Sequence, residues 1–170
     1  MEPQQDLITG RPLPQGDDEP VRQGIEALLL RLGYERAQVT VDAQREIAAE
    51  GGRLRVLADL LVHSQGRPAL VLRCARGSLV TREKEALALA RLLHEPWVPL
   101  AVVTNGQEAE LLEVASGRVL AQGLAAIPGP PELAARLAAA PPHHPTPKET
   151  QQAARVYAAF SGFHCEAYCR

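Results

Sequence analysis

Two charged side chains lie inside segments that otherwise have the composition of buried strands. Asp59 stands in the apolar run "ADLLV", and Arg73 stands in the following run, "PALVLRCAR". A carboxylate inside a strand costs free energy unless it is exposed or paired with a donor. A guanidinium on an adjacent strand is a suitable partner, because it offers several N–H donors in a planar arrangement. The pattern predicts that Asp59 pairs with Arg73 or that it serves a function such as holding a cation.

The hydrophobic pattern before these residues predicts a helix followed by three strands. The helix begins near Asp18 or Glu19, either of which is a candidate cap, and it ends at Gly33. Apolar alternation and β-branched residues then predict strands at about residues 38–47 and 54–63, joined by a Gly-Gly turn. The run "RPALVLRCA" is a third strand, and its apolar character is typical of the centre of a sheet.

The pattern after these strands predicts a second helix and further strands. The run "SLVTREKEALALARLLHEP" is helical, with Ser78 or Thr81 as cap and Pro96 as stop. The next run, "VPLAVVTNG", is a fourth strand, and a helical connection makes it parallel to the third. The pair Asn105-Gly106 is typical of a turn, and "AELLEVASGRVLAQG" predicts a short fifth strand and a sixth.

The chain is long enough for one compact domain with additional terminal segments, because 170 residues with 46% hydrophobic residues supply a single core. Proline and glycine are frequent at both ends of the predicted domain, and they interrupt regular structure there. The predicted divisions are an N-terminal arm (1–16), an α/β domain (17–127), an Ala/Pro-rich helix and linker (128–148), and a C-terminal helix with a cysteine-containing tail (149–170).

Composition restricts the possible partners and the cellular compartment. The net charge is −2, whereas strong binding to a phosphate backbone needs a positive surface, so we expect weak DNA binding by the chain alone. No run approaches the roughly 18 apolar residues that cross a bilayer, and the start of the chain lacks the pattern of a signal peptide. We therefore expect no membrane association and a cytoplasmic protein. Three cysteines, with Cys74 in a predicted buried strand, favour reduced thiols over a disulfide framework.

The runs "DDEPVRQGIEALLLRLGYE", "ADLLV", "PALVLRCARG" and "VVTNG", in this order and spacing, resemble the N-terminal nuclease domain of type I restriction enzyme R subunits, within the PD-(D/E)XK superfamily. The resemblance covers about residues 17–120. It implies an α/β fold with a restriction-endonuclease-like mixed sheet, an αβββαβ core, flanked by helices, to which this chain adds a C-terminal helix. It also implies DNA as the substrate and Mg²⁺ as the cofactor of any active enzyme.

The motif that carries the family's chemistry is incomplete in this chain. The resemblance places the metal-binding Asp at Asp59, whereas the Glu-x-Lys of the next strand falls on Arg73, Cys74 and Ala75. A guanidinium where a metal ligand is needed would repel Mg²⁺. These degenerate positions predict a catalytically inactive nuclease-like domain, associated with DNA or with a restriction or repair partner.

An active Mg²⁺-dependent DNA endonuclease stays an alternative, because members of the superfamily shift catalytic groups to neighbouring elements. Glu83, Lys84 and Glu85 stand near the start of the second helix and are candidates for that shift. On the first helix, Glu19 matches a family position that would lie beside Asp59 and share a metal.

Each carboxylate of the first helix also has a structural interpretation. Glu19 can interact favourably with the helix dipole, and Glu26, about two turns later, can either approach Asp59 or lie on a solvated face. Arg22 stands between them, at a position where the family often has an arginine.

Two further groups are candidate binding residues. Arg76, Ser78 and Arg82 surround a predicted helix start and could hold a phosphate of a nucleic acid or another anion. In the tail, His164, Cys165 and Cys169 could bind a metal or form a disulfide, although no second Cys pair completes a zinc site. A third function is a protein-interaction module that forms a homodimer through the Ala-rich and C-terminal helices.

Overall fold

A six-stranded mixed sheet with helices on both faces forms the domain. The structure is a computed structural model that describes residues 4–161, so the predictions for His164, Cys165 and Cys169 lie outside the described residues. The predicted fold class is confirmed at this level. The main elements are α1 (Glu19–Leu32), β1 (Val39–Ala49), β2 (Gly52–Ser64), β3 (Arg67–Cys74), α2 (Glu83–Leu93), β4 (Leu100–Thr104), β5 (Ala109–Glu113), β6 (Val119–Gln122), α3 (Pro130–Ala139) and α4 (Pro147–Ser161).

The strands lie in the sheet in their order along the chain, from β1 to β6. Strands β1, β2 and β3 form an antiparallel meander, and β4 runs parallel to β3, as the helical connection predicts. The last two strands are again antiparallel to their neighbours. Leu60 of β2 pairs with Leu72 of β3, and this register places Asp59 and Arg73 opposite each other one residue further along.

The two faces of the sheet are covered by different helices. Apolar residues of α1 and α3, among them Leu29 and Leu133, pack on one face. Residues of α2 and α4, among them Leu89 and Tyr157, pack on the other. The central strand β3 supplies buried residues to both cores, which explains its continuous apolar sequence.

The first helix begins and ends close to the predicted positions. Pro20 stands in its first turn, and Gly33 ends it with a φ of 105°, a conformation that glycine adopts without the steric cost of a side chain. Asp18 is the residue before the helix, but its side chain does not cap it. Its Oδ1 instead accepts the backbone N–H of Arg76 at 2.9 Å, so this carboxylate links α1 to the loop after β3.

The second helix begins later than the sequence predicts. A 3₁₀ turn at Val80–Arg82 precedes it, and neither Ser78 nor Thr81 caps the helix. The Thr81 hydroxyl donates to the carbonyl of Ser78 at 3.4 Å, which removes it from the capping position. Leu79 is buried and fixes this turn against the core.

The segments outside the central domain pack on it. In the N-terminal segment, Asp6 is buried and accepts the backbone N–H groups of Ile8 and Thr9. The Ala-rich helix and the C-terminal helix occur close to their predicted positions, as α3 and α4. The predicted domain boundaries themselves stay a prediction. Within the described residues, no helix is long and apolar enough to span a membrane.

Candidate functional site

Asp59 and Arg73 form an ion pair across β2 and β3. Arg73 Nη1 lies 2.7 Å from Asp59 Oδ2, and the same oxygen accepts the backbone N–H of Cys74 at 2.7 Å. The two side chains are only 18% and 15% exposed, respectively. Two N–H groups therefore donate to this oxygen, and one of them belongs to the positively charged guanidinium, as expected for the ion pair that the sequence suggests.

Glu85 of α2 is the third member of this group. Its Oε1 lies 3.3 Å from Arg73 Nε, and its side chain is 11% exposed. Burial alone would lower the pKa of Arg73, but the negative charges of Asp59 and Glu85 outweigh it and raise that pKa above its usual value. Arg73 is therefore a permanent cation between two carboxylates. We call Asp59, Arg73 and Glu85 the Arg73 cluster.

Tyr157 of α4 lies beside the Arg73 cluster. Its hydroxyl oxygen accepts the backbone N–H of Leu57 on β2 at 3.1 Å. Burial raises the pKa of this hydroxyl, and the charge of Glu85 adds to the increase. The C-terminal helix thus contributes a buried hydroxyl next to the carboxylates.

The other two residues of the degenerate motif, Cys74 and Ala75, lie in apolar surroundings. Ala75 is fully buried, and its backbone N–H donates to the carbonyl of Thr104 at 3.1 Å. Cys74 is a free thiol on the α1 side of the sheet, and burial raises its pKa. Neither position supplies the positive charge that a lysine would bring to the motif.

The carboxylates and the lysine at the start of α2 do not act as one group. Glu83 lies beside Glu110 of β5, where burial and the Glu83 charge raise the pKa of Glu110. Lys84 is exposed and lines a surface groove between α2 and α4. Of the three residues near the helix start, Glu85 is the one that contacts the Arg73 cluster.

A second arginine, Arg22 of α1, is surrounded by four carboxylates. Its Nη2 lies 2.6 Å from Glu19 and 3.3 Å from Asp6, and its Nη1 lies 3.8 Å from both Glu26 and Asp42. The Arg22 side chain is 5% exposed. We call these five residues the Arg22 cluster. Glu19, predicted as a metal ligand, is therefore engaged by an arginine.

Glu26 is the most buried member of the Arg22 cluster. It is fully buried, so the interpretation that it lies on a solvated face is wrong. Neither carboxylate oxygen has a hydrogen-bond partner among the described residues. Burial, with a smaller effect from the negative charge of Asp6, raises the pKa of Glu26 to about 7. Burial therefore gives this carboxyl a pKa close to neutral pH.

The predicted anion site is partly neutralised by acidic residues. Arg76 Nη2 lies 2.8 Å from Asp17 Oδ2, and Arg76 Nε lies 3.8 Å from Asp18. Arg82 donates to the carbonyl of Arg76 at 3.4 Å. Ser78 is exposed in the same loop. The loop brings the three predicted residues together, but two aspartates compete with any anion for Arg76.

The turn after β4 supports this loop. Asn105 Oδ1 accepts the backbone N–H groups of Gln107 and Glu108, and its Nδ2 donates to the carbonyl of Gly77 at 3.1 Å. Gly106 has a φ of 90° and lies 3.6 Å from the Val21 side chain, measured from the position of a Cβ. The dipeptide therefore makes the turn, as its composition predicts.

The described residues do not fit a divalent cation. They include no group of three His, Cys, Asp or Glu side chains arranged to hold a metal. Mg²⁺ binds through carboxylates, carbonyls and water. Here the Asp59 oxygen that contacts Arg73 already has two N–H donors, and the guanidinium separates Asp59 from Glu85. The Arg73 cluster is an ion-pair network in which the guanidinium takes the place between the two carboxylates.

Sequence reasoning did not find two contributors to these clusters. Asp42 enters the Arg22 cluster because β1 has a local irregularity there, with a φ of 52°. Asp6 enters it because the N-terminal segment folds back on α1. Both contacts join residues distant in sequence, and the hydrophobic pattern carries no signal for either.

One of the comparisons with known proteins identifies a family. The sequence pattern of the type I restriction enzyme R protein N terminus (HSDR_N) matches residues 17–128. The match covers α1, all six strands, α2 and the intervening loops, and it stops before α3. No curated protein and no solved structure gave a significant match. Since the matched region is well over half of the chain, this protein belongs to the family of type I restriction enzyme R protein N-terminal domains.

Proposed function

We propose that this chain is a catalytically inactive, divergent nuclease-like domain of the PD-(D/E)XK kind. In this proposal it contributes binding rather than cleavage to a DNA restriction or repair assembly. The observation that carries the proposal is the position of Arg73, 2.7 Å from Asp59 and 3.3 Å from Glu85.

The charge of Arg73 is the physical reason for inactivity. Superfamily nucleases hold a divalent cation between carboxylates, and the cation stabilises charge on the phosphate. A metal near Asp59 would meet a guanidinium at hydrogen-bond distance, and the two positive charges would repel each other strongly in this largely buried place. Arg73 stabilises the two carboxylates itself, so the fold needs no Mg²⁺ to balance them.

Metal binding tests this part of the proposal directly. MnCl₂ is titrated calorimetrically into the wild type, Asp59→Ala, Arg73→Glu and the matched control Arg73→Gln. We expect no binding by the wild type or by Asp59→Ala. We expect binding by Arg73→Glu, because that change leaves three carboxylates together, and weaker binding or none by Arg73→Gln.

The opposite results would contradict the proposal. Wild-type Mn²⁺ binding that disappears in Asp59→Ala would show a functional metal site. Failure of folded Arg73→Glu to bind Mn²⁺ would show that Arg73 does not stand in for a metal. Circular dichroism of each variant establishes that it is folded before titration.

Mg²⁺-dependent DNA cleavage with a migrated carboxylate is the second candidate function, and Glu85 is the observation in its favour. Glu85 and Asp59 both pair with Arg73, so their carboxylates belong to the same cluster. A supercoiled plasmid incubated with Mg²⁺ or Mn²⁺ separates the two candidates. We expect the wild type to nick the plasmid no faster than Asp59→Ala. Faster nicking by the wild type, abolished both in Asp59→Ala and in Glu85→Gln, would favour the enzyme.

Membership of the family supports the proposed binding role, and the surface charge limits how strongly this chain alone would bind DNA. We propose that the assembly, rather than this chain alone, provides most of the affinity for DNA, because the net charge is −2 and Asp17 pairs with Arg76. In fluorescence anisotropy with a duplex of about 20 base pairs, we expect a Kd weaker than about 10 µM at physiological salt, within the non-specific range. The opposite result is tight DNA binding by the wild type that is lost in the double variant Arg76→Gln, Arg82→Gln. It would assign autonomous DNA binding to this loop.

A further inference from the structure

A cavity of about 500 Å³ lies at the end of the sheet opposite the Arg73 cluster. It opens where β3 and β4 begin and where β5 ends. One wall belongs to the family-matched region, and the other is formed by Arg136 and by residues 139–143, which lie outside that match. The volume is in the range of pockets that hold small organic molecules.

The floor of the cavity is aromatic and fixed. The Trp97 ring lies against the His143 ring, at a centroid distance of 4.0 Å, and the guanidinium of Arg91 lies 4.9 Å from the Trp97 centroid. The backbone N–H of Trp97 also donates to the carbonyl of His143 at 2.9 Å. Pro141 and Pro142 add a rigid apolar wall beside this pair. A flat apolar group would lose little entropy and bury its surface on this floor.

The polar groups of the cavity are mainly donors. The Arg67 side chain has no ion-pair partner among the described residues. The indole N–H of Trp97 is buried and has no acceptor in residues 4–161. Arg136 adds a second guanidinium, which is held by Glu132 at 3.0 Å.

Two other polar side chains that line the cavity, Glu113 and His94, already have polar partners. Glu113 accepts a hydrogen bond from Ser116 and lies 4.0 Å from Arg118. The contact of His94 Nδ1 with the carbonyl of Pro96, at 2.9 Å, makes that nitrogen a donor. The two guanidiniums in the lining, those of Arg67 and Arg136, favour an anionic ligand.

We propose that this cavity binds a small organic anion with a flat apolar body, of the aromatic carboxylate class. The carboxylate pairs with Arg67, and the body packs between the prolines and the Trp97–His143 pair. This site does not depend on the inactivity of the Arg73 cluster. Part of its wall, Arg136 and residues 139–143, lies outside the family-matched region, so membership of the family does not by itself predict this site.

The test uses 2-naphthoate as the probe and 2-naphthalenemethanol as its neutral counterpart. The chain has one tryptophan, so a ¹⁵N-labelled sample gives one indole N–H cross-peak, which reports directly on the cavity floor. We expect 2-naphthoate to shift this peak in a saturable manner and the alcohol to bind at least about tenfold more weakly. A lost ionic hydrogen bond accounts for a factor of this size.

Matched variants assign the charge contact. We expect Arg67→Gln to weaken 2-naphthoate binding about tenfold and to leave binding of the alcohol unchanged. Arg31→Gln is the control, because Arg31 is an exposed arginine on α1 that lines none of the described cavities. The proposal is overturned if millimolar 2-naphthoate leaves the indole peak unshifted. It is also overturned if the alcohol binds equally well, or if Arg67→Gln binds as the wild type does.

Discussion

Arg73 and Arg22 are both largely buried arginines that contact carboxylates, but the carboxylates outnumber the arginine by far more around Arg22. Arg73 lies between two carboxylates, both within 3.3 Å. Arg22 lies among four, of which two are no closer than 3.8 Å. The first group satisfies its charges with close hydrogen bonds, whereas the second leaves Glu26 buried without any. Close pairing keeps a cluster ionised, whereas burial without hydrogen bonds, reinforced by the negative charge of Asp6, makes Glu26 hold its proton.

The two clusters also show how segments outside residues 17–128 complete the domain. Tyr157 of α4 lies beside the Arg73 cluster, and Asp6 of the N-terminal segment contacts Arg22. The other members of both clusters belong to the family-matched region, and each terminal segment adds one more polar group beside them. The terminal segments therefore take part in the electrostatics of the domain and not only in its packing.

Removal of Arg73 should have the largest effect on stability. In Arg73→Met, Asp59 and Glu85 lose their shared cation while they stay largely buried. We expect a loss of about 3–5 kcal/mol in the free energy of unfolding, measured by urea denaturation at pH 7. The control Arg76→Met removes an exposed arginine from a surface pair, and we expect a cost below about 1 kcal/mol. Equal costs for the two variants would mean that the Arg73 cluster behaves as a surface ion pair.

Neutralisation of Glu26 should remove a pH dependence. The pKa of Glu26 is about 7 in the folded chain against 4.5 for the ordinary group, so the folded state binds more protons than the unfolded state between these values. Wild-type stability should therefore fall as the pH rises from about 4.5 to 7 and then level off. The loss from this group is on the order of 3 kcal/mol.

Urea denaturation of Glu26→Gln at several pH values measures this effect. We expect the variant to lack this part of the decline, so that it gains stability relative to the wild type as the pH rises to 8. Asp17→Asn is the control, because Asp17 is an exposed carboxylate, and its profile should match that of the wild type. Parallel profiles for Glu26→Gln and the wild type would show that Glu26 is ionised in the folded chain at pH 5.

The sequence was sufficient to predict the main helices and strands and the ion pair between Asp59 and Arg73. Apolar alternation in "RLRVLADLLVHS" gives a strand, and the position of Asp59 next to a strand that contains Arg73 gives the pair. Glu85 could be proposed from its position near a helix start, but it could not be preferred over Glu83. A shift in the start of α2 changes which of these side chains faces the sheet. The surroundings of Glu26 could not be predicted, since the neighbouring Arg22 also contacts Asp6 and Asp42 from other segments.

Loss of the Tyr157 hydroxyl should have a smaller effect, and one that separates the clusters. Tyr157→Phe removes the acceptor of the Leu57 N–H at 3.1 Å, and we expect a cost of about 1 kcal/mol. Because Tyr157 lies on the face of the sheet opposite α1, the pH range set by Glu26 should not move. A stability profile measured from pH 5 to 8 checks both points. A shift of the Glu26 range in this variant would show that the two clusters are coupled.

The smallest expected effect comes from Asp42, the most exposed carboxylate of the Arg22 cluster. Its side chain is 62% exposed and lies 3.8 Å from Arg22, while its backbone has a φ of 52°, which Asn tolerates better than most residues. We expect Asp42→Asn to change the free energy of unfolding by less than about 0.5 kcal/mol. Asp42→Ala should cost about 1 kcal/mol more, because alanine lacks a side chain that stabilises this backbone conformation. Urea denaturation of both variants separates the backbone effect from the charge effect. If Asp42→Asn costs as much as Arg73→Met, then Arg22 depends on all its carboxylates, and negative charge is not in surplus around it.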